Sequence, residues 1–331
     1  MKQGNRKLTR HAIAMACAAG LLGGMSNAGA QAFPDKPIRI IVPFAGGSVT
    51  DTFTRVLGDA MSATLGQTVL TEPKPGAGTE IGTKYVIAQP ADGYNILMAT
   101  PSLSIKSSQL QPPFDARRDV TAIGSIGGGA LFLVVNTASI QAKTAREVID
   151  YAKANPGKLN MVNYGVGTLG HLMGELFAYK YGLKMVSVPY NGAVAAAVAL
   201  SQGNGDLGFN VTSVMSTFVQ QGKVRVIAAG TNKRDPLSPE IPSMPESGVP
   251  DYHVPSYSGF VAPAGTPRTV IMRLNAAIGA AMKVPAVRQH FERVKIHINE
   301  EVSTPEEFGN VINSNINDFS KLIRDANLKF D

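Results

Sequence analysis

The chain has 331 residues, 31 Lys and Arg against 24 Asp and Glu for a formal net charge of +7, 44% hydrophobic residues and a single cysteine. One cysteine excludes a disulfide framework and cysteine-ligated zinc or iron–sulfur centres. The basic residues are scattered, without a Lys/Arg cluster or interleaved aromatics, so no nucleic-acid footprint is present.

Lys2, Arg6, Lys7 and Arg10, with no acid, precede the short apolar stretch HAIAMACAAGLLGG, which reads as a signal peptide over 1–32. Cleavage options follow Ala30 or Ala32, and the apolar stretch is too short for a membrane span. Cys17 lies inside this leader, and removing its four basic residues lowers the charge to +3. About 300 mature residues predict two domains in an exported, soluble protein.

Ile38–Phe44 is β-rich, and from Asp51 the residues Phe53, Val56, Leu57, Ala60, Met61 and Leu65 recur at helical spacing. Strand Thr68–Thr71, a Pro-Gly loop, helix Ile81–Ala88, the turn Pro90–Gly93 and strand Asn95–Ala99 follow. Strand Leu131–Val135 comes next, then a capping box at Thr144–Glu147 opening a helix, and strand Leu159–Tyr164. The alternation continues through strand Met185–Val188, helix Ala193–Gln202, strand Asp206–Asn210, helix Ser213–Gln221 and strand Val224–Ala229. It predicts α/β lobes with mostly parallel sheets flanked by helices. Pro236, Pro239, Pro242, Pro245, Pro250 and Pro255 bar helix and central strand there and predict a surface connection back to the first lobe. Thr266, with Pro267 at the first position, and Thr304, with Pro305, are expected to cap two C-terminal helices.

Two glycine turns lead from strand into helix: Ala45-Gly46-Gly47-Ser48, and Gly165-Val166-Gly167-Thr168-Leu169-Gly170. The second spells G-x-G-x-x-G, but no Asp or Glu stands at the end of the next strand, where ribose would be held, so a dinucleotide cofactor is not expected. A hydrolase would have to pair Ser48 or Thr168 with His171 and Asp51 or Asp206, and the G-x-S-x-G elbow is missing. Five histidines without H-E-x-x-H offer no zinc centre. What the turns share is a helix start, whose free N–H groups and dipole favour an anion.

Landmarks along nearly the whole mature chain resemble the Bug, or TctC-like, solute-binding receptors of tripartite tricarboxylate transporters. They are FPDKPIRIIVPFAGG, D-x-x-x-R at Asp51–Arg55, PGAG at Pro75–Gly78, PADGYNILM at Pro90–Met98 and FDARRDVTAI at Phe114–Ile123. GVGTLGHL at Gly165–Leu172, VPYNGA at Val188–Ala193, GKVRVIAAGTNKR at Gly222–Arg234 and GFVAPAGTP at Gly259–Pro267 complete the set. The resemblance implies a type II periplasmic binding protein, monomeric and without catalysis, cofactor or metal, that closes on a small carboxylate, a dicarboxylate or an aromatic one foremost, and delivers it to membrane permease subunits. Lobe 1 would comprise 33–130 plus 257–331 and lobe 2 131–256, with a cleft between them. Carried over by position, ligand contacts fall on Phe44, Gly47, Ser48, Val49, Thr50 and Asp51, and on Gly167, Thr168 and His171, with Gly78, Ser102, Asn210 and Tyr257 on further loops. Ser48, Thr79, Asn191 and Tyr257 depart from the family's usual residues, and Tyr257 either packs at the crossover or touches ligand. A ligand sensor serving a signalling partner stays open as an alternative, as does a hydrolase.

Overall fold

In the computed structural model, residues 33–328 and 330 are described. The leader, Cys17 and both cleavage options lie outside them. From Lys36 onward the chain is one compact unit. It runs β1 (Ile38–Val42), α1 (Val49–Leu65), β2 (Val69–Pro73), α2 (Glu80–Ile87), β3 (Asn95–Ala99), α3 (Pro101–Ser107), α4 (Ala116–Asp119) and β4 (Val120–Gly128). Next come β5 (Phe132–Asn136), α5 (Ala145–Ala154), β6 (Leu159–Asn163), α6 (Leu169–Tyr181), β7 (Met185–Pro189), α7 (Ala193–Ser201), β8 (Leu207–Asn210), α8 (Thr212–Gln220) and β9 (Val224–Ala229). The chain closes with β10 (Ser258–Pro263), α9 (Arg268–Met282), α10 (Pro285–Arg293), β11 (His297–Ile298) and α11 (Pro305–Asp325).

Among the described residues the strands form a six-stranded sheet, β11-β4-β10-β3-β1-β2, and a five-stranded sheet, β7-β6-β8-β5-β9. Each carries helices and forms one lobe. In each sheet four strands run the same way, and the remainder run opposite to them. β1 runs parallel to β2 and β3, and β6 parallel to β7 and β8, because a helix follows each strand and carries the chain back to the end where the next strand starts. β10 lies antiparallel between β3 and β4, and β5 antiparallel between β8 and β9. Both follow a link from the other lobe and start at the end of the sheet where the parallel strands finish, so they run the opposite way. That shared end is where ligands sit in open α/β sheets.

Local chemistry fixes the elements around it. Ser48 caps α1 with φ −65° and ψ 161°, its Oγ accepting from Asp51 N at 3.2 Å. Phe53, Leu57, Met61 and Leu65 bury one face, and left-handed Gly66 ends the helix. The proline-rich segment is more than a surface connection, although its prolines stay exposed or half-buried. Met244, Val249, Tyr252 and Val254 are buried in the second-lobe core, where Tyr252 stacks on Phe209 at 5.6 Å and donates to Met173 O. Proline bars regular hydrogen bonding but not burial. Thr266 does not cap α9: its hydroxyl donates to Pro263 O at 2.8 Å and Pro267 takes the cap position. Thr304 forms a full capping box with Glu307 at α11. The C-terminal helix does not return to the first lobe alone, since Phe319 and Ile323 join the second-lobe core.

Candidate ligand-binding cleft

Between the lobes lies a cavity of about 360 Å³. The first lobe contributes Phe44 to Thr50, Phe53 and Thr100 to Ser102, and the second Leu131, Tyr164, Leu169, Asn191 to Val194, Asn210 and Val211. Gly129, Ser256 to Ser258 and Ile296 border the crossovers. Among the described residues, no Asp, Glu, Lys, Arg or His side chain lines its walls. Charge on a bound molecule would therefore meet backbone dipoles, hydroxyls and amides. Among the described residues no group of three His, Cys, Asp or Glu side chains is placed to hold a metal ion.

The first turn is braced from inside. Asp51 is 2% exposed, and its Oδ2 accepts from Gly47 N at 2.8 Å and Arg55 Nε at 3.0 Å, while Oδ1 lies 3.0 Å from Arg55 Nη2. Gly47 adopts φ 76°, the left-handed region glycine tolerates. Ser48 N donates to Ala45 O at 3.1 Å, and the Ser48 hydroxyl serves Asp51 N. Val49 and Thr50, the first two residues of α1, line the cavity. Their N–H groups have no partner among the described residues, as expected for helix-start amides beyond reach of the cap.

The second glycine turn is also closed on itself. Gly165 N donates to Asn163 Oδ1 at 3.0 Å, Gly167 N to His171 Nδ1 at 3.4 Å, Thr168 N to Gly165 O at 3.2 Å and Gly170 N to the Tyr164 hydroxyl at 3.0 Å. Since Nδ1 accepts, neutral His171 carries its proton on Nε2, which lies 3.7 Å from Glu175 Oε1. Burial, helped by the nearby Lys106 charge, pushes His171 down to about 4. Burial in turn raises the Glu175 carboxyl, which a hydrogen bond with Ser187 opposes.

Of the sequence-predicted residues, the cavity brings together Phe44, Gly47, Ser48, Val49, Thr50, Ser102, Asn210 and Tyr257. Asp51 and His171 are buried behind their turns and brace them. Gly78 and Thr168 line an adjoining cavity, and Gly167 packs against Lys106. Asn210 acts as a clamp: its Nδ2 donates to Ala193 O and its Oδ1 accepts from Val211 N, both at 2.9 Å, tying the starts of α7 and α8 together. Tyr257 both packs and borders the cavity. It is 3% exposed, meets Ser104 Oγ at 2.8 Å and stands edge-on to Phe308, and burial raises its phenol pKa.

Sequence reasoning missed the start of α7. Gly192, at φ 99°, supplies no side-chain cap, so Ala193 and Val194 carry free helix-start amides at the cleft wall. The signal was legible in Asn191-Gly192-Ala193, another strand-to-helix glycine turn.

Residues 53–328 match the family described as the tripartite tricarboxylate transporter family receptor, TctC. A UPF0065 protein of Cupriavidus necator is 34% identical over 288 residues, covering 85% of this chain and 86% of its own. The solved periplasmic binding protein BugD superposes with a TM-score of 0.82 at 28% identity, covering 90% of this chain and 99% of that one. An R. palustris protein solved with adipate gives 0.81 at 26% identity, with 89% and 98% covered. With two α/β lobes enclosing a cleft, and the family match spanning most of its length, the chain belongs to the TctC receptors of tripartite tricarboxylate transporters.

Proposed function

We propose that this receptor works in the periplasm, captures a small organic carboxylate by closing 33–130 plus 257–331 against 131–256, and delivers it to transporter permease subunits. One observation carries the reading: the free N–H groups of Val49 and Thr50, at the start of a 17-residue helix, border a cavity with no side-chain cation. A carboxylate there accepts charge-assisted hydrogen bonds and sits at the positive end of the helix dipole. The adipate bound by the R. palustris relative supports an acid as ligand. Binding favours the closed state because only there do both lobes reach the anion. The receptor performs no covalent chemistry and releases its ligand unchanged.

Val49→Pro tests this directly. Proline is tolerated at the first helical position, and Ser48 already has the extended conformation a following proline requires. The variant should keep its melting temperature and lose roughly tenfold or more in carboxylate affinity by calorimetry, through loss of one charge-assisted bond. Unchanged affinity would remove these amides from the site.

A further inference from the structure

A buried lysine stands beside the cleft, its one counter-charge shared with a second lysine. Lys106, on α3, is 6% exposed. It occupies a slot that two glycines leave open. A Cβ on Gly167 would stand 2.6 Å from its Cε and 3.1 Å from its Nζ, and a Cβ on Gly78 would stand 3.3 Å from its Cε. Its ammonium faces Glu80 Oε2 at 3.8 Å, while Glu80 Oε1 is engaged by Lys84 Nζ at 2.8 Å. Thr79, next to Gly78 and 3% exposed, has a buried hydroxyl without a hydrogen-bond partner in the protein. Lys106 and Thr79 line a cavity of about 470 Å³ that adjoins the first, with Phe44, Ala45, Tyr164, Asn191 and Gly192 as shared walls.

We propose that Lys106 and Thr79 form a second anion subsite, so that the ligand is a dicarboxylate spanning both cavities. One carboxylate takes the amides of Val49 and Thr50, the other the Lys106 ammonium and the Thr79 hydroxyl. This rests on the cleft being a carboxylate site. A buried ammonium whose single ion pair is long and shared with Lys84 is only partly compensated, and an orphaned hydroxyl adds to that. A carboxylate relieves both, accepting from each group and supplying the counter-charge, whereas a metal cation repels the ammonium and an uncharged acceptor leaves its charge uncompensated. Phe44 and Tyr164, between the subsites, suit the methylene chain that joins two acids. The slot takes one glycine from each lobe, so the second subsite is complete only when the lobes meet.

The test is a calorimetric titration of the wild-type protein with succinate, glutarate and adipate, each paired with its equal-length monoacid butyrate, pentanoate or hexanoate, and with adipamide. At least one diacid should bind roughly tenfold or more tighter than its monoacid. Lys106→Met should erase that gap while leaving monoacid affinity in place, and Thr79→Ala should narrow it. If no diacid exceeds its monoacid in the wild type, or the gap survives in folded Lys106→Met, the subsite is wrong. Should Lys106→Met not fold, the wild-type pairs and Thr79→Ala still decide. Monoacids binding as well as diacids overturns this inference alone, whereas adipamide binding as well as adipate overturns the carboxylate reading itself.

Discussion

Asp51 and His171 are each the polar residue a ligand-centred reading of its turn selects, and each instead holds that turn in shape. Asp51 accepts from Gly47 N and pairs with Arg55. Removing the carboxylate leaves the Gly47 amide unsatisfied and frees the turn. Asp51→Ala should therefore cost about 1–3 kcal/mol in urea unfolding and weaken ligand binding with it. His171 gives a sharper prediction. Its folded pKa of about 4 lies below the ordinary imidazole value of 6.5, so the fold prefers the neutral ring. The associated stability is fully present above pH 6.5 and is lost as pH falls through 4. The shift corresponds to on the order of 3 kcal/mol. His171→Gln should flatten the stability profile between pH 6.5 and 4, and an unaltered slope would show that another group titrates there.

At the scale of elements, the order of strands and helices from β1 to β3 and from β5 to β9 was legible because apolar period and glycine punctuation change together at those boundaries, whereas α3, α4, β4, β10, α10 and β11 were not read from the sequence. α1 shows this: Ser48, Asp51 and the spacing of Phe53, Leu57 and Met61 specify cap, first turn and buried face. The Thr304–Glu307 box was equally plain, and Thr304→Ala should cost α11 about 1 kcal/mol, read as a lower melting temperature. What a residue bonds to was less legible. Thr266 precedes Pro267 as a cap would, yet the turn at Pro263 captures its hydroxyl. The amides of Gly167 and Thr168 have the sequence of an anion nest but serve His171 and Gly165. Such choices depend on turn geometry a few residues away, which residue type does not encode. The burial of Tyr252 within a proline-rich stretch is of the same kind, set by the aromatic surface of Phe177 and Phe209.

For the whole molecule, the contact between the glycine loops sets how closely the lobes approach. Gly78 has φ 60°, and a Cβ there would lie 1.9 Å from Val166 O of the opposing lobe, a backbone atom that no side-chain rotation can move aside. Gly78→Ala therefore acts on the closed state in two ways: a left-handed alanine costs about 1–2 kcal/mol locally, and its methyl group holds the loops apart. If capture requires closure, apparent affinity falls with the fraction of molecules able to close. Carboxylate affinity should drop about tenfold or more, and ligand should no longer lower the radius of gyration in solution scattering. Val49→Pro provides the contrast, since it removes a donor but no clearance: it should weaken binding yet retain compaction at saturating ligand. If Gly78→Ala compacts normally, the lobes do not need this contact to close, and the coupling between loop approach and capture is wrong.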